Sequence, residues 1–284
     1  MRWSAGDRST IQDMRGRSGR GGMIPLGIGG FIVVALLSMF TGVNFFDILG
    51  GGSSAPDSSA VGTSGRPTGS PAEEKMVDMV DAVARDAQQT WTNKLGGRYQ
   101  PTKIVLFRDA IQSTCGYAGA ATGPFYCPGD QKVYLDLGFF EELNRRFGAP
   151  GDFAQAYVLA HEIGHHIQTI TGTEGQMRQM QRANPGSANQ LSVRLELQAD
   201  CYAGVWGHDT NQQGRAASGG VELDPGDIEE AMRAAAAIGD DRLQKLGGGR
   251  VMPEKFTHGS SEQRMTWFKR GFDSGDPRSC NTFE

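Results

Sequence analysis

The chain has 284 residues, of which 38% are hydrophobic, and a formal net charge of −4. This length accommodates one folded domain of roughly 200 residues together with additional segments. The charge is uneven, because residues 1–22 contain five arginines and two aspartates, a net charge of +3 that leaves −7 for the remainder. An acidic domain has no electrostatic reason to bind nucleic acid, so the composition argues against that class of partner.

Residues 23–46 form an uncharged, mostly apolar run that is long enough to cross a bilayer core of about 30 Å. A cleaved signal peptide is the alternative interpretation, but the run is longer than an ordinary signal core and no Ala-x-Ala site follows it closely. Arginines precede the run and none lies near its far end. The positive-inside rule therefore predicts a cytoplasmic basic leader over residues 1–22.

A linker rich in Gly, Ser and Pro, residues 47–71, separates this run from the rest of the chain. We therefore predict a single-pass protein of the cytoplasmic (inner) membrane, with one transmembrane helix over residues 23–46 in contact with lipid. The domain over residues 72–284 would lie outside the cytoplasm.

The remaining periodicity predicts an α+β domain in which a small sheet packs against a helical core. Apolar spacing predicts an amphipathic helix over residues 73–94 and strands over residues 103–107 and 132–136. Polar, Gln-rich residues 172–189 are expected to form a mobile connection. Further helices are predicted over residues 138–147, 152–170 with Asp152 as N-cap, 191–206, 224–238 and 260–271, the last opening with a capping box of Ser260 and Gln263.

The four cysteines form an even number that allows three disulfide pairings. Cys115 and Cys127 bracket a loop rich in Gly, Ala and Pro that a disulfide would hold together, and Cys201 could then tie down the C-terminal tail through Cys280. Four reduced thiols in a cytosolic protein are the alternative. No Cys-x-x-Cys spacing occurs, which argues against zinc binding by cysteine. We predict both disulfides, in agreement with export.

The segment from His161 to His165 reads His-Glu-Ile-Gly-His, an HExxH motif within the helix predicted over residues 152–170. Residues four apart lie on one face of a helix, so His161 and His165 can both direct an imidazole nitrogen at one metal ion while Glu162 stands beside it. The alternative is a buried helix whose histidines only form hydrogen bonds. The motif is typical of zinc hydrolases.

The sequence also predicts roles for His166, which follows the motif, and for Gly164, which lies within it. His166 lies about 100° around the helix from His165, so it is expected to support the structure rather than share the metal. Gly164 is expected at a close helix contact, because glycine costs about 1 kcal/mol relative to alanine within a helix.

Catalytic zinc usually takes three protein ligands and leaves a fourth position for water, so a third ligand is required. Glu196 and Asp200 lie four apart on one face of the helix predicted over residues 191–206. Glu196 would coordinate zinc, and Asp200 would accept a hydrogen bond from the outer ring N–H of a ligating histidine. The alternative is a surface helix with two solvated carboxylates.

These residues resemble known families. HExxH followed by a Glu-x-x-x-Asp helix is similar to the gluzincin arrangement of thermolysin-type peptidases, and the Glu-Leu-Gln-Ala-Asp string that begins at Glu196 resembles an element of the integral-membrane CAAX prenyl and heat-shock proteases. The segment from Thr257 to Arg264 is similar to the Ser/Thr-His-Pro…Glu-Arg segment of those membrane proteases, with Gly259 in place of proline. From Met1 onwards the whole chain resembles the bacterial neutral zinc metallopeptidase family.

The resemblance implies a zincin-like metallopeptidase fold, a Zn²⁺ cofactor and a peptide or protein substrate. It also places His258 and Arg264 at the site, with Arg264 orienting Glu196 or a substrate carbonyl. In peptidases of this type an edge strand near the site pairs with extended substrate. Residues 133–137 are the candidate for that strand, although they fit an inner strand equally well.

The ligand set indicates a mechanism. Zinc lowers the pKa of its bound water towards about 7, and Glu162 would take the water proton and pass it to the leaving amine. A donor must then meet the developing oxyanion. The first candidate is His258, followed by His208 and then by Tyr202 or Tyr157, and structural histidines are the alternative.

The sequence therefore predicts a membrane-anchored zinc endopeptidase. The alternative function is a non-catalytic, zinc-folded interaction or scaffold domain of the cell envelope. Glu162 favours the enzyme, because it has no role as a ligand in this geometry and is needed only for chemistry.

Overall fold

The computed structural model describes residues 1–16, 69–119 and 122–283. These residues form an α+β fold with a small mixed sheet, a separate two-stranded hairpin and a helical core. The transmembrane helix predicted over residues 23–46 lies outside the described residues, as does most of the predicted linker. Within the described ranges, no helix is both long and apolar enough to cross a membrane.

The mixed sheet has four strands. In order across the sheet these are β1 (Ile11–Asp13), β2 (Lys103–Phe107), β6 (Lys132–Asp136) and β5 (Phe125–Cys127). The first three run parallel, and β5 is antiparallel to β6. The hairpin consists of β3 (Ala110–Ser113) and β4 (Gly116–Gly119).

Two strands predicted from the sequence, β2 and β6, are confirmed with the expected bounds. The edge-strand interpretation of residues 133–137 is wrong, because β6 pairs with β2 on one side and with β5 on the other. The strand at that edge of the sheet is β5, which contacts the helix that contains the HExxH motif.

The described helices are α1 (Pro71–Leu95), α2 (Gly138–Arg145), α3 (Asp152–Ile170), α4 (Thr173–Ala183), α5 (Ala188–Thr210), α6 (Asp227–Ala237), α7 (Asp240–Leu246) and α8 (Ser261–Ser274). Within the described ranges the helices predicted from the sequence are present, and Ser260 and Gln263 form the predicted capping box. Gly151, not Asp152, occupies the N-cap position of α3.

Residues 172–189 are not the irregular connection that their polarity suggested, because α4 occupies most of the segment. Met177 on α4 is buried in a small apolar cluster with Leu191 and Leu195 of α5. Glu174 accepts hydrogen bonds from Thr169 at 2.6 Å and from the guanidinium of Arg178. The apolar cluster around Met177 and the hydrogen bond from Thr169 to Glu174 therefore hold this helix against its neighbours.

The sheet lies between two apolar layers. One face of the sheet joins the main core with α1 and α3 through Ile104, Leu106, Val133 and Leu135, whereas the opposite face packs against the hairpin.

The helical core contains α3, α5 and α8 in close contact. A Cβ at Gly164 of α3 would lie 3.0 Å from the carbonyl oxygen of Ala199, and one at Gly271 of α8 would lie 1.9 Å from that of Cys201. Gly164 therefore has the close contact expected of it.

Both predicted disulfides are present. Cys115 is bonded to Cys127, with 5.8 Å between the Cα atoms, and connects the hairpin to the end of β5. Cys201 on α5 is bonded to Cys280, with 5.6 Å between the Cα atoms, and fixes the C-terminal tail.

The described part of the predicted leader belongs to the domain. Ile11 pairs with Ile104 in the sheet, and the hydroxyl of Thr10 donates a 2.6 Å hydrogen bond to Asp81 on α1. Arg8 forms ion pairs with two carboxylates of α1. The described residues of this segment therefore pack against the domain through groups that lie far along the chain.

Candidate metal centre

The two histidines of the HExxH motif and one glutamate converge on a single point. His161 and His165 lie one turn apart on α3, and Glu196 lies on α5, which packs against α3. Nε2 of His161 is 3.2 Å from Oε2 of Glu196, and Nε2 of His165 is 3.6 Å from Oε1. Zinc bonds of about 2.0–2.1 Å separate tetrahedral ligands by about 3.3 Å, so this donor set fits zinc.

The outer nitrogen of each histidine has its own acceptor. Nδ1 of His161 donates to Oδ1 of Asp200 at 2.8 Å, and Nδ1 of His165 donates to Oε1 of Gln168 at 2.8 Å. These bonds select the tautomer in which both Nε2 atoms are available to a metal ion. The bond to Asp200 agrees with the spacing in the sequence, whereas the bond to Gln168 was not predicted.

Gln168 is fixed by further bonds. Its side-chain amide donates to the carbonyl of Leu195 at 2.6 Å and to Oε1 of Gln198 at 3.1 Å. Gln198 in turn donates to the carbonyl of Cys280 at 3.0 Å. The orientation of His165 is thus connected to α5 and to the disulfide-bonded tail.

Asp200 is fully buried at the centre of a polar network behind His161. Nε of Arg264 on α8 donates to its Oδ2 at 2.8 Å, Nη2 donates to its Oδ1 at 2.9 Å, and the hydroxyl of Tyr157 donates to the same carboxylate. Arg264 is only 2% exposed. The carboxylate that its guanidinium contacts is that of Asp200 and not that of Glu196.

Burial and the neighbouring carboxylates have opposite effects on the pKa values of the two histidines. Burial lowers the pKa of His165, but Glu196 more than compensates and raises it to about 9. Burial likewise lowers the pKa of His161, and Asp200 raises it above its usual value. In return the neighbouring imidazoles hold the pKa of Glu196 well below its usual range, against the effect of burial. A metal ion that binds here would displace protons from the two imidazoles.

Glu162 lies beside the ligands and is 8% exposed. It is not one of the three residues whose ligand atoms converge, all within 4.8 Å of one another. Its charge adds to the effect of Glu196 in raising the pKa of His165.

His258 lies in the loop before α8. Its Nδ1 is 3.2 Å from Oδ1 of Asp240, and Oδ2 of Asp240 accepts hydrogen bonds from the backbone N–H groups of Thr257, His258 and Gly259 at 2.7, 2.7 and 3.1 Å. The imidazole is 38% exposed. Burial lowers its pKa, but the carboxylates of Glu196 and Asp240 raise the pKa above its usual value. One buried carboxylate therefore fixes the loop and directs His258.

Two other candidates for the oxyanion donor, His208 and Tyr202, lie away from the metal position. His208 follows Glu196 on α5 by three turns, about 18 Å along the helix axis, and its Nδ1 donates to the carbonyl of Phe272 at 2.6 Å. Tyr202 packs edge-on against Trp91 in the core. The structure does not bring either residue to the cluster.

His166 is fully buried and turned away from the metal position, as expected. Its Nε2 donates to the carbonyl of Gln100 at 2.6 Å, and its Nδ1 accepts from the hydroxyl of Tyr126 at 3.1 Å. Burial lowers its pKa. A neutral imidazole therefore connects α3 to β5.

A second group of carboxylates, Asp152, Asp227 and Glu230, also has the geometry of a cation site. The α-ammonium group of Met1 is 3.0 Å from Asp152 and 3.3 Å from Asp227, so this group already has a cationic partner.

Comparisons with known proteins agree with this geometry. The sequence model of the family described as "Putative neutral zinc metallopeptidase" matches residues 1–283. The chain is 44% identical over 296 residues to Uncharacterized protein YpfJ of Escherichia coli (strain K12), with 100% of this chain and 99% of the relative covered. It is 42% identical over 220 residues to Uncharacterized protein Rv2575 of Mycobacterium tuberculosis (strain ATCC 25618 / H37Rv), with 76% and 73% covered. No solved structure matches. The chain therefore belongs to the neutral zinc metallopeptidase family.

Proposed function

We propose that the protein is a zinc-dependent endopeptidase with a zincin-like catalytic domain, in which His161, His165 and Glu196 hold Zn²⁺. The observation that carries this proposal is the convergence of two Nε2 atoms and one carboxylate, with Glu162 beside them but outside the ligand set. A non-catalytic scaffold needs the three ligands and has no use for Glu162.

The residues around the cluster have distinct roles in the proposed reaction. Bound zinc would lower the pKa of its water towards about 7 and polarise the scissile carbonyl. Glu162 accepts the proton of the attacking water and transfers it to the leaving amine. His258, protonated and directed by Asp240, donates a hydrogen bond to the oxyanion that develops on the carbonyl.

Two further groups keep the ligands in place. The Arg264–Asp200 pair holds His161, and Gln168 holds His165, so neither imidazole has to reorient during the reaction.

The substrate in this proposal is a peptide or protein in extended conformation. The edge strand β5 (Phe125–Cys127) lies against α3 and pairs only with β6 in the described sheet. Its other side can add a peptide strand through main-chain hydrogen bonds. This role passes to β5 because β6 is an inner strand.

The two disulfides are typical of proteins in an oxidising compartment, so the domain is assigned outside the cytoplasm. Attachment to the membrane through the apolar residues 23–46 is part of the proposal.

The experiment that tests the function is cleavage of a peptide library by the purified full chain before and after removal of metal. Chelation should abolish cleavage, and one equivalent of zinc should restore it. Replacement of His165 by Ala should lower zinc affinity and remove cleavage together. Cleavage that persists in fully metal-free protein would contradict the proposal.

A further inference from the structure

The N-terminal residues and the metal-binding domain form one packed unit. The hydroxyl of Thr10 and the guanidinium of Arg85 both donate to Asp81 of α1, whose side chain has no exposed surface. Ile11 packs against the main core from β1. If Thr10 were in another compartment, Asp81 would lose one of its buried hydrogen-bond donors, and unmade bonds of this kind are costly.

The arginines of the N-terminal segment are also used by the domain. Arg2 pairs with Glu222 at 2.6 Å, Arg8 with Asp78 at 2.6 Å and Arg15 with Glu74 at 2.8 Å. The side chain of Arg15 is only 1% exposed. A positive leader near a membrane normally indicates the cytoplasmic side. Here three of its arginines have carboxylate partners within the fold, so their placement does not depend on cytoplasmic lipid.

The chain leaves this unit and returns to it at one place. Nη2 of Arg15 donates to Oε1 of Glu74 at 2.8 Å, and the backbone N–H of Gly69 donates to the same oxygen at 3.1 Å. The two ends of the intervening sequence therefore meet at a single carboxylate.

From these contacts we propose that residues 1–15 occupy the same aqueous compartment as the metal-binding domain. A single crossing between Arg15 and Gly69 would separate groups that are hydrogen-bonded to one another. Two helical crossings need about 40 apolar residues, more than the run supplies. This inference is independent of the proposed peptidase activity.

Cysteine labelling of the full chain in spheroplasts tests the shared compartment. The four native cysteines are all disulfide-bonded, so the parent chain provides the unlabelled control. Ser4→Cys reports on the N-terminal segment and Gln213→Cys on the domain, since both positions are exposed. A membrane-impermeant maleimide should label both variants to the same extent in intact spheroplasts. Labelling of both only after lysis would also support a shared compartment. Labelling of one variant in intact spheroplasts and of the other only after lysis would overturn the proposal.

A thermal-stability pair tests the packing directly. Thr10→Val removes the hydroxyl that bonds Asp81 and should lower the Tm of the full chain by about 2 to 8 °C. Thr10→Ser keeps the hydroxyl and should stay close to the parent. Equal Tm values for Thr10→Val, Thr10→Ser and the parent would show that the N-terminal segment does not pack on the domain.

Discussion

The side-chain oxygen of Gln168 lies 2.8 Å from Nδ1 of His165, one helical turn further along α3. Because Gln168 is anchored to the carbonyl of Leu195 on the neighbouring helix, it fixes both the tautomer and the ring plane of a proposed zinc ligand. The same role is played by the carboxylate of Asp200 for His161. The two ligands are thus held by different chemistry, a neutral amide and a charged pair.

We predict that Gln168→Leu lowers zinc affinity by about 10- to 100-fold, since groups that orient metal ligands typically contribute that much. Gln168→Glu keeps an acceptor for Nδ1 of His165 and should recover most of the affinity, although it loses the donor to Leu195. Competition with a fluorescent chelator gives both constants. Equal affinity in Gln168→Leu and the parent would show that Gln168 only packs the helices.

Disulfide removal should have unequal effects on stability. Chain-entropy arguments give about 3 kcal/mol for a loop of 12 residues and about 4.5 kcal/mol for one of 79 residues. The paired replacement of Cys201 and Cys280 by Ser should therefore lower the free energy of unfolding more than that of Cys115 and Cys127. Urea unfolding of each double variant measures this. The reverse order would mean that residual structure or strain, and not loop length, dominates.

The pH dependence of hydrolysis should reveal the contact between Asp240 and His258. Burial lowers the pKa of His258, but Glu196 and Asp240 together raise it above its usual value, so the protonated donor persists to higher pH and its contribution to the rate is lost as pH rises through that pKa. Asp240→Asn should lower the pKa and move the alkaline limit of kcat to lower pH. Because Asp240 is not a proposed zinc ligand, this effect should survive metal binding.

Two replacements of histidine control that experiment. His258→Ala should reduce kcat by about 10²- to 10³-fold with little change in zinc content, the usual loss for one oxyanion donor. His208→Ala should leave kcat and its pH profile unchanged. His208 lies far along α5 from Glu196, and its ring donates a hydrogen bond to the backbone carbonyl of Phe272 on α8. A larger kcat loss in His208→Ala would transfer the role to His208.

Local periodicity accounts for what could be predicted of the site. His161, His165, Glu196 and Asp200 occur as pairs four residues apart, so helical spacing alone places each pair on one face. Gln168 had a comparable signal, since it follows His165 by three residues.

Other contacts leave no local pattern. Asp240 contacts His258, which lies 18 positions further along the chain, beyond the rest of α7 and a loop, and no spacing rule describes such a contact. β5 is a strand of only three residues, too short for a visible alternation, and without it β6 resembles an edge strand. The arginines at the N-terminus indicated a leader because distant carboxylates pair with them, such as Glu74, which lies 66 residues from Arg8 and 59 from Arg15.

The most direct test of the proposed peptidase compares Glu162→Gln with the parent in one preparation, where bound zinc and peptide hydrolysis are both measured. Glu162→Gln should retain about one zinc per chain and lose activity by at least about 10²-fold, because a general base contributes 10²- to 10⁴-fold and is not a ligand. Glu262→Gln, an exposed position on α8, is the matched control and should keep both properties. Loss of zinc together with activity in Glu162→Gln would assign Glu162 to the ligand set, and unchanged hydrolysis would contradict the mechanism.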